Sequence, residues 1–93
     1  MTNSITFNEK DSRYERLVEG YTAYARTHQK GETLYIDYVF TPPELRGKGV
    51  AGGFMTDLMV LVRKNGWQVV PVCGFAAGWL RQHSEYDDLI QKD

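Results

Sequence analysis

Thr33-Leu34-Tyr35-Ile36-Asp37-Tyr38-Val39-Phe40, then Thr41-Pro42-Pro43, then Arg46-Gly47-Lys48-Gly49-Val50-Ala51-Gly52, is the stretch on which the fold of this chain turns. Its first eight residues alternate. Leu34, Ile36, Tyr38 and Phe40 fall on one face of a strand, and Tyr35, Asp37 and Val39 on the other, as a period of two requires. The prolines remove ladder donors and end that strand. Beyond the glycines the period becomes helical: Val50, Phe54, Leu58, Leu61 and Val62 form an apolar stripe with Thr56, Asp57, Arg63 and Lys64 off it. This predicts a helix from about Gly49 to Lys64, entered through a glycine-rich turn.

Upstream, short alternating runs bounded by turn-formers predict strands at Ile5 to Asn8, Arg13 to Val18 and Tyr21 to His28, the last two ending at Glu19-Gly20 and near Lys30-Gly31. Downstream, Asn65-Gly66 stops the helix, and the valine-rich Trp67 to Cys73 reads as a buried fifth strand. Phe75 to His83 and Glu85 to Ile90 read as two short helices, with Ser84 placed to cap the second. The expectation is an α+β fold of α/β-like appearance: a mixed, mostly antiparallel sheet of about five strands, a long central helix after strand four, and short C-terminal helices. Spread over 93 residues, this makes one domain, 1–93.

Hydrophobic residues make up 42% and charged residues 25%, as in ordinary globular domains. A net charge of -1 with basic and acidic residues interspersed lacks the positive field that nucleic-acid binding needs, so no nucleic-acid partner is expected. Apolar stretches are broken by Asp57, Arg63, Lys64 and Gln68, short of the roughly 20 residues of a membrane span. Met1 to Lys10 show no basic segment followed by an apolar block, and the single cysteine, Cys73, forms no internal disulfide. A reducing, cytoplasmic setting is the expectation. His28, His83 and Cys73 lack the paired spacings of a metal site, so none is expected.

Lacking Cβ atoms, the glycines of the turn let backbone curl around an oxyanion, and the unpaired N–H groups of the first helical turn point at it beside the positive end of the helix dipole. Arg46 and Lys48 add positive charge. A plain strand-to-helix turn would show the same glycines. Gly47-x-Gly49-x-x-Gly52 also matches the dinucleotide fingerprint, but Leu58 to Ser84 contains no Asp or Glu to hold a ribose. A Walker-type loop fails as well, since no Gly-Lys-Ser or Gly-Lys-Thr closes the segment.

Arg46-x-x-Gly49-x-Ala51 resembles the pyrophosphate-binding motif of the GNAT N-acetyltransferase superfamily, and Val70-Pro71-Val72-Cys73-Gly74-Phe75 resembles the Pro-x-Cys element of its small single-domain branch. The likeness runs from about Tyr35 to Ile90. One departure is that many members of the branch carry His-Thr on strand four, where this chain has Tyr38-Val39. The resemblance implies acetyl-CoA as acyl donor, with Arg46, Gly47, Lys48, Gly49, Val50 and Ala51 at the pyrophosphate. It implies backbone of Val39, Phe40 and Thr41 along the pantetheine, in a gap where the sheet splays between strands four and five.

Cys73 is the expected catalytic residue. The resemblance sets it near the acetyl thioester, and the helix expected just after it favours a thiolate able to accept the acetyl group or assist its transfer. The plainer alternative is a small buried apolar residue. His83, an intervening helix of roughly 12 Å away, is a poor base for it. Tyr38 and Tyr86 are candidates to protonate the departing thiolate. His28 reads as a solvated surface residue, Trp67 and Trp79 as core or pocket wall, and Tyr14, Tyr21, Tyr24 and Tyr35 as cross-strand packing. The function expected is acetyl transfer to an unidentified amine, in a pocket open or completed by a second copy or another protein. The alternative is a non-catalytic CoA- or acyl-CoA-binding or protein-interaction module.

Overall fold

The computed structural model describes residues 5–91, so the ends of the expected domain 1–93 lie outside the described residues. Five strands form one sheet in sequential order: β1 (Thr6–Asn8), β2 (Arg13–Val18), β3 (Tyr21–Lys30), β4 (Thr33–Phe40) and β5 (Gln68–Pro71). β1 to β4 are antiparallel neighbours. β5 lies parallel to β4, and a parallel neighbour needs a crossover, which here is α1 (Val50–Lys64). A 3-10 turn, Pro43–Leu45, precedes α1, while α2 (Gly74–Arg81) and a 3-10 helix, Ser84–Leu89, follow β5. The mixed sheet with a long central helix is therefore the expected fold.

Phe54, Met55, Leu58, Met59 and Val62 of α1 pack with Ala76 and Leu80 of α2 into the same buried cluster as Tyr14, Ala23, Ala25, Leu34, Ile36 and Val69 of the sheet. Those strand residues belong to one face, so both helices cover that face. The opposite face carries Leu17, Arg26 and Tyr38, all exposed, beside the half-buried Tyr24 and Tyr35.

Four local expectations are corrected. The alternation of β4 does not hold to its end, because Thr27 pairs with Ile36 and Arg26 with Tyr38, leaving Asp37 as an extra residue in a bulge. The faces switch there, and Val39, rather than Tyr38 or Phe40, joins Leu34 and Ile36 against the core. β5 is shorter than Trp67 to Cys73, since Pro71 has no N–H and the amides of Val72 and Cys73 both donate to the carbonyl of Ile36 at 3.0 Å. β3 runs two residues beyond His28, to Lys30. The final segment is a 3-10 helix that starts at Ser84, so Ser84 lies inside it and makes no side-chain cap.

Sequence reading did not single out Arg16. It faces α1 from β2, forms an ion pair with Asp57, and leaves its Nε buried without a hydrogen-bond partner. Burial holds the guanidinium below the usual arginine range. A Cβ at Gly53 would lie 3.3 Å from its NH1 nitrogen, so glycine there lets the first half of α1 settle over the arginine.

Candidate functional site

The last pairing between β4 and β5 is Ile36 with Pro71. Beyond it β4 continues with β3 on one side and no strand on the other, and the sheet opens into a cleft of about 440 Å³. Its walls are Tyr38, Val39, Phe40 and Thr41 from the free edge of β4, the connection Leu45-Arg46-Gly47, the start of α1 from Gly49 to Gly52, and Phe75 of α2. Backbone groups on that edge of β4 have no strand to pair with, which leaves them available to amide groups of a bound chain.

The floor of the cleft is the N-terminus of α1. Gly49 occupies the N-cap with φ 74° and ψ 12°, in the left-handed region, and Gly47 has φ 82°. Side chains rarely adopt that conformation, which is why this turn needs glycine at both positions. The helical ladder opens with Gly53 N–H donating to Gly49 O at 3.0 Å, so the amides ahead of it have no helical acceptor. No side chain caps them, and no acidic residue stands in the first turn. A Cβ at Gly47 or Gly49 would meet nothing within 4 Å, so the space beside the turn is open. An uncapped helix end with open space before it suits an anion, and a pyrophosphate fits this donor set.

Of the residues expected at the cofactor, Val39, Phe40, Thr41, Arg46, Gly47, Gly49, Val50 and Ala51 come together on the cleft. Arg46 bonds through Nε to the carbonyl of Thr41 at 3.0 Å, which ties the end of β4 to the turn and leaves its terminal nitrogens for a ligand. Lys48 is not part of the lining; its ammonium lies 2.9 Å from a carboxylate oxygen of Glu19, at the β2–β3 turn.

Cys73 stands at the N-cap of α2, half-buried against the core at the closed end of the splay, and is not part of the cleft lining. Tyr38 lines the cleft with 47% of its surface exposed. Tyr86 sits elsewhere, stacked on Trp79 at 5.8 Å. Trp79 also stacks on His83 at 3.8 Å, and His83 Nδ1 donates to the Trp79 carbonyl at 2.7 Å, which occupies that ring in the C-terminal packing. Leu45, Gly52 and Phe75 are the wall residues that sequence reading missed. The one sequence signal was Phe75 itself, a large apolar residue opening a short helix; it remains 45% exposed.

No helix among the described residues is long and apolar enough to cross a membrane, and no cluster of metal-ligating side chains occurs among them. A sequence model of the GCN5-related N-acetyltransferases matches residues 13–89. The solution NMR structure of a GCN5-like protein from Staphylococcus aureus superposes with a TM-score of 0.75 at 21% identity, covering 100% of this chain and 93% of that one. That likeness shows a shared fold. No curated protein sequence matches the chain.

Proposed function

Because this chain belongs to the GCN5-related N-acetyltransferase family, we propose that it binds acetyl-CoA in the cleft between β4 and β5 and transfers the acetyl group to an amine. The observation that carries the reading is the uncapped, glycine-entered N-terminus of α1 facing the unpaired edge of β4. In this reading the amides of the turn from Gly47 to Ala51 and the Arg46 guanidinium hold the pyrophosphate. Lys48 exchanges Glu19 for a phosphate at little expense, since an exposed ion pair contributes about 0–1 kcal/mol. The peptide groups of Val39, Phe40 and Thr41 pair with the pantetheine amides as an added strand would. Its thiol end then points to where β4 and β5 part, near Ile36 and Cys73.

Cys73 is the proposed catalytic residue. As nucleophile its sulfur attacks the acetyl carbonyl carbon, the bond to the CoA sulfur breaks, and the amine then takes the acetyl group from Cys73. In direct transfer it stands beside the thioester instead. The reading is tested by thermal unfolding with CoA and acetyl-CoA: a ligand that binds only the folded state raises the melting temperature. No rise at millimolar ligand overturns it.

A further inference from the structure

His28 and Asp37 meet on the sheet face that the helices leave uncovered. His28 Nδ1 lies 2.7 Å from Asp37 Oδ2, and its ring stacks on Tyr35 with centroids 4.5 Å apart and planes 12° from parallel. A carboxylate only accepts, so Nδ1 carries the proton of this contact and Nε2 is the nitrogen left facing outward. Nε2 has no hydrogen-bond partner among the described residues, and the side chain is 46% exposed. The ring is thus fixed on one side by a hydrogen-bonding carboxylate and on its face by an aromatic, with Nε2 open.

The position follows from the bulge. His28 is paired with Tyr35, but it reaches along the strand to Asp37, toward the cleft end of β4. Asp37 is the extra residue of the bulge, and it falls between the last residue laddered to β5, Ile36, and the first that lines the cleft, Tyr38. Asp37 therefore marks where the sheet begins to part, and His28 reaches it from β3, across β4 from the gap; neither residue is part of the cleft lining. The charged and titratable neighbours on this face are Tyr35 and Tyr38 of β4, and Arg26 and Lys30 of the histidine's own strand, Lys30 with its ammonium 5.4 Å over the Tyr35 ring.

We infer that His28, oriented by Asp37, is the general base that deprotonates the acceptor amine; the inference rests on the acetyl-CoA reading of the cleft. The acceptor arrives as an alkylammonium, R-NH3+. Nε2 takes one proton, and Asp37 offsets the charge of the imidazolium formed. In direct transfer the freed amine attacks the acetyl carbonyl carbon of acetyl-CoA, a C–N bond forms, and the C–S bond to CoA breaks. A second nitrogen proton goes to the departing thiolate, giving CoA thiol and the N-acetyl product, and His28 returns its proton to water. One proton is released per turnover. His28 touches the acceptor and is catalytic in this scheme, whereas Asp37 is a positioning residue.

The test is the rate of CoA thiol release from acetyl-CoA with n-butylamine and with spermidine as acceptors, from pH 6 to 10, in wild type, His28→Gln and Asp37→Asn. The CoA dissociation constant is measured on the same samples. His28→Gln is expected to lower kcat about a hundred-fold. Its remaining rate should climb with the free-amine fraction toward the amine's own pKa, near 10. CoA affinity should stay as in wild type. Asp37→Asn, which can still accept from Nδ1 but carries no charge, is expected to lower kcat about ten-fold. If His28→Gln fails to fold, Asp37→Asn carries the test. Variants with wild-type kcat and pH profile overturn the inference. A wild type that binds acetyl-CoA and acetylates neither amine overturns it too, with the cleft reading left standing. Failure to bind acetyl-CoA removes both.

Discussion

Arg46 Nε donates to the carbonyl oxygen of Thr41 across the connection between β4 and α1, at 3.0 Å. One side chain thus sets the spacing between the two walls that the proposed ligand must touch, and places a delocalised positive charge between them.

Arg46→Ala is expected to weaken CoA binding at least ten-fold at low salt, since a hydrogen bond to a charged group contributes about 1.5–3 kcal/mol. The loss should shrink as salt screens the phosphates. Arg46→Lys should fall between, keeping the charge without the fork. Calorimetric titration at two ionic strengths measures all three. Undiminished affinity of Arg46→Ala at low salt would restrict the residue to holding Thr41.

At Gly49 the left-handed backbone costs any other residue about 1–2 kcal/mol. Gly49→Ala should lower the melting temperature and bind CoA weakly. Gly49→Glu should bind none, because it also sets a carboxylate against the pyrophosphate. Thermal melts with and without CoA separate the two effects. A folded Gly49→Glu that binds as wild type would place the phosphates elsewhere.

Brief incubation with acetyl-CoA should add one acetyl group to the wild-type protein and none to Cys73→Ala, if the covalent intermediate accumulates. Intact-protein mass spectrometry reads this directly. In the direct-transfer form no adduct appears, yet Cys73→Ala still loses most of its activity. Full activity of Cys73→Ala would return the residue to core packing.

Removing Asp57 leaves the buried Arg16 guanidinium without its counter-charge. Asp57→Ala is expected to destabilise the protein by about 1–3 kcal/mol, below what breaking a fully buried pair costs because Asp57 is itself half exposed. Arg16→Met combined with Asp57→Ala should recover much of that. Urea unfolding of the three proteins measures it. An unchanged midpoint for Asp57→Ala would mean that water serves Arg16 as well.

Glu15 accepts hydrogen bonds from the Asn8 amide at 2.9 Å and the Arg13 guanidinium at 2.6 Å, which hold it below the usual carboxylate range. A carboxylate depressed in the folded state contributes stability above its unfolded pKa and loses it as pH falls through the folded value. Between about pH 5 and pH 3 the wild type should therefore lose more stability than Glu15→Gln. The difference will be small, since the group is partly exposed. Parallel acid-denaturation curves would contradict this.

The order of elements, the glycine turn and eight of the nine residues expected at the cofactor, which the fold gathers on one cleft, were legible in the chain itself. Each depends on residues close in sequence: a period of two or 3.6, a proline that cannot donate, a glycine that alone tolerates positive φ. The bulge at Asp37 was not legible. It exists because Thr27 of β3 selects Ile36 while Arg26 selects Tyr38, a choice between strands that the alternation within β4 does not contain. For the same reason the sequence alone grouped Tyr38 and Phe40 with Leu34 and Ile36 on one face, where the fold puts Val39.

Lys48 and Arg16 mark the other boundary. Their charge is evident from the residue type, but what each charge meets depends on where β2 lies against α1. That packing pairs Lys48 with Glu19 and seats Arg16 under Gly53 and beside Asp57. By itself the sequence determined a strand, a glycine-rich turn and a helix in succession, because local backbone preferences act over a few residues. Only the tertiary structure decided how far β5 follows β4, and so where the cleft opens and which side chains stand at its mouth. That depends on contacts between segments 35 residues apart, meeting where Pro71 runs out of donors beside Ile36.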